Sequence, residues 1–91
     1  MMKCKITRKQ INTIYRAMRE YKLDYNKEVI SFLYDEVADH EFEVSPENES
    51  DYTIFRTVKG VVDSILDPDG YWPYGECNLR LRELVEGRKE N

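Results

Sequence analysis

The sequence predicts an all-α fold, a small bundle of three to four helices in a single domain over residues 1–91, with room for a short N-terminal strand. Apolar residues recur at three- and four-residue spacing in three separate runs, Ile11 to Met18, Val29 to Ala38 and Tyr52 to Leu66. Helix-start residues precede these runs, and a stretch with two prolines and two glycines, Asp67 to Gly75, follows the longest. A composition 41% hydrophobic and 35% charged suits one modest globular core at this length.

At the N-terminus Met2, Cys4 and Ile6 alternate with Lys3 and Lys5, the pattern of a short edge strand. Thr7 with Gln10 forms a capping-box signature, and Ile6 with Ile11 sits where a hydrophobic staple belongs, so helix one is expected over 8–22. Its stripe is Ile11, Ile14, Tyr15 and Met18 with Tyr21 or Leu23, which leaves Arg8, Lys9, Arg16 and Arg19 outside.

Helix two is expected over 26–41, capped by Asp24 or Asn26, and Tyr25 with Ile30 suits the second. Val29, Ile30, Leu33, Tyr34, Val37 and Ala38 make its stripe, with Phe32 off it. The short connector predicts that helices one and two are antiparallel neighbours burying their stripes against each other. Phe42 and Val44 alternate with Glu41 and Glu43, so helix two either ends near His40 or runs on as extended chain.

Ser45-Pro46 marks the start of helix three, expected over 46–66, with Ser50-Asp51 as a second start. Tyr52, Phe55, Val58, Val62, Ile65 and Leu66 form one face, and Ile54 and Val61 widen it, which makes this the central helix. Gly60 inside it implies a kink or a close packing point. The last helix is expected over 77–87 from Leu81, Leu84 and Val85, with Gly87 as its terminal cap.

The formal charge of -4 conceals a segregation. Residues 1–27 hold eight lysines and arginines against Glu20 and Asp24, whereas residues 28–55 hold nine carboxylates and no lysine or arginine. The expectation is that the two signs end on separate exteriors and bias which partners approach.

No glycine-rich phosphate loop and no nucleophile with a neighbouring base is present, so no enzymatic activity and no cofactor are expected. Asp67, Asp69, Gly70 and Glu76 fall at calcium-loop spacing, but Ile65 holds the first ligand position, and His40, Cys4 and Cys77 are scattered, so no metal is expected. Without an apolar targeting run the protein is expected to be cytoplasmic, with no membrane contact and with free thiols.

The leading expectation is a non-catalytic protein-binding module. Its contacts would be the acidic Asp35, Glu36, Asp39 and Glu43 together with the aromatic Tyr71, Trp72 and Tyr74, unless Trp72 folds back to close the core. The alternatives are a nucleic-acid-binding regulator using Arg8, Lys9, Arg16 and Arg19, and a homodimeric assembly component. TRKQINTIYRAMRE, Thr7 to Glu20, resembles the basic opening helix of small phage regulatory proteins related to GemA. The chain as a whole, compact, acidic and without a catalytic motif, resembles the small inhibitors that phages and mobile elements direct at host enzymes, including anti-CRISPR proteins. These likenesses imply a phage-type inhibitor of a nucleic-acid-handling complex and assign no residue a role.

Overall fold

The structure, a computed structural model, describes residues 2–67 and 69–89. It is mostly helical, with the predicted N-terminal strand present and paired to a second one. The order is β1 (Met2–Lys5), α1 (Arg8–Arg19), α2 (Lys27–Phe32) continued by a π-helical turn (Leu33–Val37), β2 (Glu41–Val44), α3 (Glu49–Leu66) and α4 (Tyr74–Lys89).

The capping box at Thr7 forms as the sequence implies. The Gln10 backbone N–H donates to Thr7 Oγ1, and the Thr7 N–H donates to Gln10 Oε1 at 2.9 Å. Helix α1 stops at Arg19 rather than residue 22. The N–H groups of Tyr21 and Lys22 turn back onto the Met18 and Ala17 carbonyls, and this terminal loop ends the helix with Tyr21 at φ 65. Asn26, rather than Asp24, caps α2 by accepting from the Glu28 and Val29 N–H groups. Asp24 instead ties the α1–α2 connection to α4, through its N–H to Asn78 and its carboxylate to Arg82 at 2.8 Å.

Helix two is shorter than its apolar period. The Ala38 N–H bonds to the Leu33 carbonyl, a five-residue step that widens the last turn and keeps both Leu33 and Val37 buried. Residues 41–44 then leave the helix and pair antiparallel with β1, Met2 opposite Val44 and Lys5 opposite Glu41. The all-helical class is therefore corrected to a helical fold carrying a two-stranded sheet. That sheet also corrects the expected separation of charges, because Lys3 faces Glu43 and Lys5 faces Glu41 in one small patch.

Ser45 and Pro46 make a turn, with the Asn48 N–H on the Ser45 carbonyl, and α3 starts three residues later than Pro46, under an Asn48 cap. Helix α4 starts at Tyr74, before the expected residue 77, and continues through Gly87, which is not its cap.

Helix α3 is central, as its wide face implies, and touches α1, β2 and α4. Its buried residues are Thr57, Val58, Gly60, Val61, Val62 and Ser64, whereas Tyr52 and Leu66 of the predicted face lie exposed. The expected pairing of helices one and two is confined to the π turn, where α1 meets Leu33–Val37, while α1 packs along α3 and α2 packs against α4. Phe32, off the predicted stripe, is buried because α4 covers that side. The core joins Ile6, Ile11, Ile14, Met18, Leu33 and Val37 to Val58, Val61 and Val62 of α3 and to Cys77 and Leu81 of α4.

Candidate functional site

The apolar face of α3 is longer than the core it serves. At its N-terminal half Tyr52 and Phe55 extend past the packed valines, β2 brings Val44 alongside, and the 67–73 turn brings Tyr71 and Trp72. Together with Arg56 and Lys59 these side chains enclose an open groove of about 350 Å³.

Trp72 forms one wall because α3 has a glycine beneath it. A Cβ at Gly60 would lie 2.6 Å from two atoms of the indole. The Trp72 N–H donates to Ser64 Oγ at 3.1 Å, and that hydroxyl donates to the Gly60 carbonyl at 2.8 Å, so one buried serine ties the turn to the helix. The Arg80 guanidinium lies 4.2 Å from the indole centroid and is held by Glu76 at 2.9 Å. Trp72 is thus half-buried, one face of the core and one wall of the groove. Tyr71 stands 75% exposed with its ring 6.4 Å from Trp72. Tyr74, the first residue of α4, does not line the groove. Arg56 donates to the Tyr52 hydroxyl, and Lys59 is bound to Asp63 at 2.9 Å, so Arg56 is the groove cation without a carboxylate partner among the described residues.

In the sequence Phe55 falls on the wide face of helix three and Val44 in the alternating stretch after helix two, and nothing there sets either beside the 67–73 turn. The signal for Phe55 was the excess width of the α3 face, which a helix needs only when something beyond its own core covers it.

The four acidic candidates lie elsewhere. Asp35, Glu36 and Asp39 border a depression with His40, Asp51 and Arg88, and this depression shares no lining residue with the aromatic groove. Glu36 is paired with Arg88 at 2.6 Å, and Asp35 accepts from the Ser31 hydroxyl. Asp39 is engaged structurally: at φ 61 it turns the chain from the π turn into β2, its carboxylate accepts from the first N–H of α1 at 3.2 Å, and its N–H donates to the Ile6 carbonyl. Glu43 sits on β2, its N–H bound to the Asp51 carboxylate. The acidic and aromatic candidates are therefore two places rather than one surface.

Arg8, Lys9, Arg16 and Arg19 are all exposed on α1, and none is in an ion pair among the described residues. Arg8 lies 5.1 Å from the Tyr34 ring centroid and Arg19 lies 5.8 Å from that of Tyr15. The Tyr15 ring is 6.1 Å from Tyr34 and 6.5 Å from Tyr25. The Tyr34 hydroxyl donates to Asn12, and burial pushes its phenol above the ordinary value, against a smaller downward pull from Arg8. This run went unnoticed in the sequence because Tyr15 and Tyr34 match the apolar stripes of their helices.

Cys4 and Cys77 are free thiols. Burial pushes the Cys77 thiol up, which suits a core group rather than a nucleophile. Among the described residues no three His, Cys, Asp or Glu side chains are grouped to hold a metal ion, and no helix is long and apolar enough to cross a membrane. No protein-family model, curated protein or solved structure matches the chain.

Proposed function

We propose that the protein is a non-catalytic protein-binding module whose contact site is the groove between α3, β2 and the 67–73 turn. The observation that supports it is a preformed aromatic cleft, Tyr52, Phe55, Tyr71 and Trp72, whose backbone supports are held by Ser64 and Gly60. Rigid aromatic side chains supply contact area at little cost in side-chain entropy, which is why such residues dominate binding energies. The matching occupant is a short apolar segment of a partner protein with a carboxylate placed to meet Arg56. No serine, cysteine or histidine lines the groove, which favours binding over group transfer.

In its sharper form the reading is an inhibitor of a nucleic-acid-handling complex, with Asp35 at the acidic depression meeting cations of that partner. Affinity capture from the source cell with the wild type, a Tyr52→Ala/Tyr71→Ala double variant and an Asp35→Lys variant tests both forms. The double variant, still folded by circular dichroism, is expected to lose the captured protein. Retention of that protein by the double variant refutes the groove, and equal capture by Asp35→Lys removes the acidic contact while leaving the groove standing.

A further inference from the structure

The groove leaves five of the seven tyrosines unexplained, and three of these, Tyr15, Tyr25 and Tyr34, come together beside α1. Tyr34, Tyr15 and Tyr25 form a row with Tyr15 in the middle, and Tyr21 stands 94% exposed at the end of the helix. Tyr21 occupies the left-handed position that closes α1, where glycine is the unstrained choice. A bulky ring held fully outward in that conformation does nothing for the core, so the strain points to a surface role.

Cations alternate with these rings. Arg8 lies over Tyr34 and Arg19 over Tyr15, eleven residues apart on α1 and hence about 16 Å apart along its axis. A guanidinium stacked on a ring is held in position while its outer N–H groups stay open to an anion. Glu20 is paired with Lys22 and Asp24 with Arg82, whereas Arg8, Arg16 and Arg19 are in no ion pair among the described residues.

We propose that this tyrosine–arginine face of α1 and α2 binds single-stranded nucleic acid, independently of the groove. The ligand chemistry follows from the alternation. A single strand presents phosphates at regular intervals and unpaired bases with free π-faces between them, and both are needed to use this row fully. An acidic peptide supplies the charges without the planar groups. A duplex keeps its base faces stacked inside, out of reach of Tyr21 and Tyr25.

The test is fluorescence anisotropy of the full chain with a labelled oligothymidylate, titrated over a range of salt. Binding at low salt is expected, with a log–log salt slope of about −1.4 for two phosphates held by Arg8 and Arg19, and Arg8→Gln or Arg19→Gln should each remove about 0.7 of it. Tyr21→Gly combined with Tyr25→Ala should weaken binding by about tenfold at fixed salt without changing the slope, since stacking carries no charge. Both positions are exposed, so the fold should survive, and circular dichroism checks it. A duplex of equal length should bind about tenfold more weakly, and Tyr52→Ala/Tyr71→Ala should bind the strand like the wild type. No anisotropy change at low salt overturns the proposal. So does equal affinity for the duplex, wild-type affinity in the tyrosine variants, or displacement of the strand by polyglutamate at matched charge, which would assign the face to an acidic protein instead. Loss of strand binding in the groove variant would overturn the independence of the two sites.

Discussion

Tyr21 closes α1 with the two backbone hydrogen bonds of a glycine-type terminus but without the glycine. A left-handed conformation costs an L-residue about 1–2 kcal/mol, and glycine gives back about 0.5–1 kcal/mol through its looser unfolded chain. Tyr21→Gly is therefore expected to stabilise the fold by about 0.5–1 kcal/mol in urea unfolding. Ser64 runs the other way. Its hydroxyl is the partner of the Trp72 N–H, so Ser64→Ala leaves that donor unpaired at a cost of about 1–3 kcal/mol, with red-shifted emission from the lone tryptophan as the turn loosens. Cys77 gives a pH dependence. Its thiol is raised by burial, so the unfolded chain releases this proton at lower pH than the folded one. The contribution is intact below the ordinary thiol range and is lost as pH rises from there toward the raised value. Thermal melting points measured from neutral to alkaline pH should fall across that window, and Cys77→Ala should flatten the fall.

Caps built from neighbouring residues were readable and boundaries set by tertiary packing were not, for a physical reason. A helix start is a local chemical event, and Thr7 with Gln10 or Asn26 with the next two N–H groups can be found from neighbours alone. The end of α2 depends on what waits for the chain. Leu33, Tyr34, Val37 and Ala38 keep a helical period to residue 38, yet residues 41–44 are taken by β1, which lies far back in the sequence. The groove was half legible for the same reason: its aromatics were visible in the turn, while Phe55 and Val44 join it only through the packing of β2 on α3. Phe42 is the side chain that seats β2, only 2% exposed and 6.3 Å from the Phe55 ring. Phe42→Ala is expected to cost about 3–5 kcal/mol, enough to abolish a cooperative thermal transition in a domain of this size.

Across the whole molecule, α4 is fastened by apolar residues and decorated by ions. Arg82 meets Asp24 and Arg88 meets Glu36, both at exposed side chains, while Cys77, Leu81 and Val85 are buried. Surface pairs of this kind contribute little, so Arg82→Ala/Arg88→Ala should lower stability by no more than about 2 kcal/mol in denaturant titration, with the effect fading at high salt. The same layout leaves the groove and the tyrosine–arginine row on separate parts of the surface, sharing no residue. The packing of α1 on α3 also bears on how the protein is made. Ile11, Ile14 and Met18 leave the ribosome long before Val58, Val61 and Val62, which lie forty or more residues downstream. At translation speeds of about 5–20 residues per second the greasy side of the first helix stays bare for roughly 2–9 seconds, an interval in which a nascent chain is open to chaperones or to clumping with its siblings.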